Sequence, residues 1–183
     1  ENIDYIIHLS QSEYFKEFPQ YAKHVYYVNT LSTLKLLDYA VKNKVQKFIY
    51  TSSGGVYGYS NKAFSEKHLL KVDSELGFYL STKLSSEILL ENYQKYLDIV
   101  ILRPFFIYGP GQRDAMLVPR MVKSVMTGRE IVLQGNEGIR INPTYIKDAS
   151  DAIINSLDLD GSYKINIAGP EVISLRKMAE IIG

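Results

Sequence analysis

The sequence predicts an α/β fold, a parallel sheet with crossover helices, and three observations carry that reading. Residues 4–10 (DYIIHLS), 45–52 (VQKFIYTS) and 98–104 (DIVILRP) are short, nearly continuous apolar runs, the pattern of strands buried on both faces. The two stretches that separate them, 28–43 and 76–97, place apolar residues at helical spacing. Strand and helix therefore alternate, as parallel strands joined by crossover helices require. A chain of 183 residues is long enough to bury a sizeable core.

Each element has its own justification. In 28–43 the repeat runs through Leu31, Leu34, Leu37, Ala40 and Val41. In 76–97 Leu80, Leu84, Ile88 and Leu89 form one stripe, with Tyr93 further along. The second half is less regular and is punctuated by Pro104, Pro110, Pro119 and Pro143. There the pattern predicts a short helix in 115–130 ending near Gly128, a strand at 130–134, a helix from about Asp148 to 157, and a strand at 163–168. A last helix at 174–182 follows, with Ser174 as its N-cap. Residues 1–110 are expected to form the core, and 111–183 a small mixed part with elements returning to that core.

Composition narrows the function. Basic and acidic residues number 21 and 20, a net charge of +1, which gives no electrostatic footprint for nucleic acid or an anionic membrane. With no cysteine there is no thiolate metal site, and His8, His24 and His68 lie too far apart in sequence to suggest a zinc site. The longest apolar runs are strand-sized, so no membrane span is expected, and the cytoplasm is the expected compartment.

The chemistry centres on residues 79–83 (YLSTK). Among fifteen tyrosines, one with a lysine four residues on is an ordinary occurrence, so the neighbourhood has to decide. The strand at 45–52 runs into 51–58 (TSSGGVYG), small and hydroxyl residues at the carboxyl end of a parallel strand, where ligands of open α/β sheets bind. Tyr79 follows Ser53 by 26 residues, near the start of the next helix, and Lys83 lies one turn further on the same face. An ammonium near a phenol favours the phenolate and lowers a pKa of about 10. A tyrosine so placed can serve as a base, with the serine bonding the substrate oxygen. The plainer alternative is a capped turn and a half-exposed helix pair.

Seven segments, in order, resemble the extended short-chain dehydrogenase/reductase family in its nucleotide-sugar epimerase/dehydratase branch. They are 4–10; 29–40 (NTLSTLKLLDYA); 48–58 (FIYTSSGGVYG); 79–83; 102–113 (LRPFFIYGPGQR); 144–153 (TYIKDASDAI); and 163–175 (YKINIAGPEVISL). The resemblance implies a Rossmann-like fold truncated at its N-terminus, because the family's first three strands and its glycine-rich turn have no counterpart here. The chain is thus expected to be part of a larger protein, and the strand at 4–10 an exposed edge that invites pairing.

The resemblance also implies roles. Tyr79 is the acid/base, Lys83 tunes it and bonds the nicotinamide ribose, and Ser53 orients the reacting hydroxyl. Leu9, Ser10, Gln11, Asn29 and Pro104 are implied to line the cofactor, NAD or NADP; Gly54, Phe106 and Arg140 are implied on the substrate side. The family pattern is not matched everywhere. Gln11 stands where a small residue is usual, Ser32 replaces a glycine, and Phe106 replaces an asparagine. Arg140 is one residue further from Asp148 than the common spacing. Gly54 and Gly55 replace the Asp-Glu pair of dehydratases, which speaks against 4,6-dehydration. The implied activity is epimerisation of a nucleotide sugar, with a 4-ketoreductase or a non-catalytic fragment as alternatives. Family members pair as homodimers through helices equivalent to 28–43 and 76–97.

Overall fold

The computed structural model describes residues 3–60, 63–70 and 72–183. The chain divides into two compact units, Glu1–Pro104 with Ala152–Asn166, and Phe105–Asp151 with Ile167–Gly183.

The first unit is built on a four-stranded sheet. Strand β1 (Tyr5–His8) pairs in parallel with β2 (Lys47–Thr51), which pairs in parallel with β3 (Asp98–Pro104). The order is completed by β7 (Tyr163–Ile167), giving β1-β2-β3-β7. Central β2 and β3 are buried almost throughout, as their continuous apolar sequences require; β1 is an edge strand whose Tyr5 and Ile7 are exposed.

Between β1 and β2 the helix starts earlier than its apolar repeat suggests. Helix α1 (Ala22–Tyr26) runs through a π turn, Tyr27–Leu31, into α2 (Ser32–Lys42). Lys44, at φ 55°, then reverses the chain, and Val45 N–H bonds the Ala40 carbonyl at 2.9 Å, so the last helical carbonyls are satisfied at the turn into β2. Helix α3 (Gly77–Tyr93) returns to β3. Leu37 and Ala40 of α2, Leu90 of α3 and Phe48, Tyr50, Ile99 and Ile101 of the sheet form one core. Full burial of each large side chain there contributes about 1.5–3 kcal/mol.

The expected stripe of α3 is kept at Leu84, which is buried, and at Leu80, Leu89 and Tyr93, which pack against the core, but not at Ile88, which is 54% exposed; the buried face also carries Lys83, Ser86, Glu87 and Leu90. Polar residues share the inner face because each finds a partner there, so the apolar repeat marks only part of the buried face.

The second unit holds β4 (Ile107–Tyr108), α4 (Leu117–Met126), β5 (Arg140–Ile141), β6 (Thr144–Tyr145), the start of α5 (Ile146–Asn155), β8 (Ile173–Ser174) and α6 (Leu175–Ile182). Strands β4 and β6 pair in parallel, and β5 and β8 antiparallel. Ser174 caps α6 as its sequence predicts, accepting from Lys177 N–H at 3.1 Å. Met121, Ile141 and Met178 centre this unit's core. The strand expected at 130–134 does not form; Ile131 packs into that core, Val132 is exposed, and the segment has no ladder partner to fix it as a strand. Gly169 passes so close to Pro143 that a Cβ would lie 2.0 Å from its carbonyl oxygen, so only glycine fits. Among the described residues no helix is long and apolar enough to cross a membrane.

Candidate active site

Parallel register brings the carboxyl ends of β1 and β2 side by side: His8 faces Tyr50, and Thr51 Oγ1 donates to the His8 carbonyl at 3.2 Å. Beyond β1, Leu9, Ser10 and Gln11 are exposed. Beyond β2, Ser53 opens a 3₁₀ turn (Gly54–Tyr57), its Oγ accepting from Gly55 N–H at 3.1 Å. That turn lies against α3. A Cβ on Gly55 would stand 2.8 Å from Leu80, so the absence of a side chain here allows the turn to approach the helix that carries Tyr79.

Lys83 is the buried hub. It is 1% exposed, and its Nζ donates to the carbonyls of Thr51 at 2.9 Å and Ser10 at 3.3 Å, tying α3 to the ends of both strands. The ammonium also lies 5.0 Å from the centre of the Tyr50 ring. Burial pulls its pKa down to about 8, with the Glu87 carboxylate acting in the opposite sense.

Tyr79 is half-buried, its ring 5.1 Å from that of Phe15, and its hydroxyl donates to Gln11 Oε1 at 2.8 Å. Burial pushes the phenol up to about 12, and hydrogen bonding to Ser53 pulls it back only in part. The sequence spacing predicts an acidified phenol, and in this structure the phenol is the opposite. Sequence spacing places Lys83 on the right face, but the ammonium is committed to two carbonyls, and loss of solvation dominates at the phenol.

The structure thus gathers Ser10, Gln11, Ser53, Tyr79 and Lys83 at one sheet edge, with Gly54 buried in the adjoining turn. Leu9 precedes Ser10 and is 55% exposed; Pro104 ends β3 half-buried. Asn29 has no exposed surface. Set in the π turn, it accepts from Ser12 N–H at 2.9 Å and donates to Thr82 Oγ1 at 3.0 Å, so it fixes the loop after β1 against α3. Phe106 and Arg140 belong to the second unit. Phe106 is 48% exposed with φ 37°, and Arg140 is an exposed residue of β5, opposite Ser174.

Sequence reasoning missed the polar groups behind the site, namely Ser52, Glu87 and Arg103. A signal was present: an arginine inside the apolar run 98–104, and a glutamate four residues after Lys83, each call for a buried partner.

Residues 1–168 match the model of the family described as "NAD dependent epimerase/dehydratase family". The uncharacterized UDP-glucose epimerase YtcB of Bacillus subtilis is 31% identical over all of this chain and 58% of its own length. The UDP-glucuronate 4-epimerase of Thermodesulfobacterium geofontis is 32% identical over 84% of this chain and 48% of its own length. Among solved structures, the UDP-glucuronic acid 4-epimerase of Bacillus cereus, in complex with UDP-glucuronic acid and NAD, superposes with a TM-score of 0.87 at 30% identity, covering 98% of this chain and 58% of that one. The chain spans about half the length of the relatives it matches. The order of its strands, the polar cluster at their carboxyl ends and the match over 168 residues agree: this chain belongs to the NAD-dependent epimerase/dehydratase family.

Proposed function

We propose that the protein to which this chain belongs is an NAD-dependent epimerase of a nucleotide sugar, of the UDP-hexose class that its relatives' names indicate. The observation that carries the reading is the convergence of Tyr79, Ser53 and Lys83 at the carboxyl edge of β1 and β2. Exposed Leu9, Ser10 and Gln11 beside a buried ammonium suit the nicotinamide–ribose end of a dinucleotide. The sequence holds no glycine-rich turn for the pyrophosphate, so the fit covers that end alone.

The dinucleotide, when bound, supplies the hydride acceptor and, oxidised, a positive charge. Tyr79 as phenolate takes the proton of a sugar hydroxyl as the carbon bearing it loses hydride, leaving a ketone. Ser53 hydrogen-bonds the phenol oxygen and favours the phenolate. Once the keto sugar has turned over, Tyr79 would give the proton back to its oxygen while the bound cofactor would supply the hydride to the other face, so neither protons nor electrons would be consumed. Lys83 holds the two strand ends and Tyr79's helix in one geometry. On the substrate side the reading assigns Gly54, Phe106 and Arg140, the guanidinium of Arg140 being suited to a diphosphate. It includes a cytoplasmic location and a homodimer through α2 and α3, for which exposed Tyr39 and Ile88 provide support.

Tyr79→Phe in the full-length enzyme is expected to lower turnover of a UDP-hexose about 10²–10⁴-fold while NAD affinity holds. Undiminished turnover refutes the assignment. Stoichiometric oxidation of reduced dinucleotide would point to a ketoreductase instead.

A further inference from the structure

Behind the site lie two buried charges that the mechanism above does not use. Glu87 and Arg103 are each 1% exposed, and they form a paired contact: Arg103 Nη2 donates to Glu87 Oε2 at 2.5 Å and Nε to Oε1 at 3.1 Å. The Ser52 hydroxyl also donates to Glu87 Oε1. On the other side, Arg103 Nη1 donates to the Tyr57 hydroxyl at 2.7 Å, and that hydroxyl donates to Asn166 Oδ1 at 2.9 Å. The guanidinium stands 4.7 Å from the centre of the Tyr57 ring. Stability alone does not call for such a pair, since well-packed apolar residues of similar volume often serve as well or better.

What the pair joins is specific. Helix α3 carries Tyr79, Lys83 and Glu87 at four-residue steps, one above the other on a single face. Ser52 immediately precedes Ser53, and Tyr57 closes the turn that Ser53 opens. The network therefore ties the helix bearing two of the three reacting groups to the strand tip bearing the third.

We propose that Glu87 and Arg103 are positioning residues of this site: Glu87 anchors the strand tip through Ser52 and is the counter-charge for Lys83, while Arg103 holds the Glu87 carboxylate in a two-point contact and holds the turn through Tyr57. This rests on the epimerase reading and deepens it. The groups that interact with Lys83 are His8 of β1, Tyr50 of β2 and Glu87 of its own helix, with Tyr79 one turn before it on the same face and Arg103 of β3 bonded to Glu87. Of these Glu87 is the carboxylate, and it opposes the burial that draws Lys83 down. Without that carboxylate, Lys83 gives up its proton at lower pH.

In the full-length enzyme, Glu87→Gln is expected to cut kcat on the order of a hundredfold, with KM for the UDP-hexose held. The alkaline limb of the kcat profile moves down by about one pH unit. Glu87→Asp, which keeps the charge, returns the limb to its wild-type position even where kcat stays low. Should Glu87→Gln fail to fold, the double variant Glu87→Met/Arg103→Met leaves no guanidinium buried without its carboxylate and is expected to show the same displacement. A second readout needs no turnover. Because Lys83 titrates lower in the fold (about 8) than in the unfolded chain, stability rises with pH from there toward the ordinary lysine value, and in the variants the rise begins at lower pH. Profiles that overlay in both readouts overturn the proposal. Displacement of the stability onset in an enzyme that turns over no nucleotide sugar upholds the Glu87–Lys83 coupling and sinks the epimerase reading instead.

Discussion

His8 is a buried imidazole at the carboxyl end of β1, next to the site. It is bonded through Nε2 to Thr33 Oγ1 at 3.0 Å, and packed against Phe48 and Tyr50. Burial, aided by the charge of Lys83, draws its pKa from 6.5 to about 4. Between those values the unfolded chain binds more protons than the folded one, so stability present above pH 6.5 is lost as pH falls toward 4. The loss is on the order of 3 kcal/mol. Urea denaturation of the full-length protein across that range is expected to show it, and His8→Gln to flatten it; equal slopes in the two proteins contradict the assignment. At this scale the sequence was informative where local geometry fixes the outcome. Tyr79 and Lys83 share a face because four residues make about one helical turn. It was uninformative about where the Lys83 ammonium points, since the carbonyls of Ser10 and Thr51 reach it from distant parts of the chain, and the predicted acidity of Tyr79 failed for that reason. The Glu87–Arg103 pair was hidden likewise, because a helix and a strand 16 residues apart meet only in the folded molecule.

The elements were legible in proportion to their burial and regularity. Apolar runs at 4–10, 45–52 and 98–104 became β1, β2 and β3, since a strand buried on both faces writes a nearly unbroken apolar signature. The weaker run at 130–134 did not become a strand, because alternation without a neighbouring ladder has no hydrogen bonds to gain. For α3 the apolar stripe pointed to Ile88, whereas Leu90 is the fully buried residue. The two readings separate cleanly. Leu90→Ala is expected to cost about 2–5 kcal/mol in chemical denaturation of the full-length protein, and Ile88→Ala far less, because over half of Ile88 is already in water. The reverse ranking would mean that the helix is rotated from the position described. The π turn at Tyr27–Leu31 left no trace in the apolar repeat, yet it is what carries Asn29 between the loop after β1 and Thr82.

At the scale of the whole molecule the proposed function gives the chain one end of a dinucleotide site, and among the described residues β1 is an outer strand of the sheet. The 183 residues alone are expected to bind NAD weakly or not at all, because no glycine-rich turn stands ready for the pyrophosphate. Micromolar affinity by calorimetry contradicts that. The same preparation should self-associate with rising concentration, since β1 presents unpaired backbone with exposed Tyr5 and Ile7, and sedimentation velocity reads this directly. Finally, the chain passes between its two units three times, after Pro104, after Asp151 and after Asn166. The last two crossings fall inside α5 and β7. No single cleavage releases either unit whole. A chimera that borrows a relative's second unit must be spliced within a helix and within a strand, where helical phase and ladder register, rather than linker length, decide whether the joints hold.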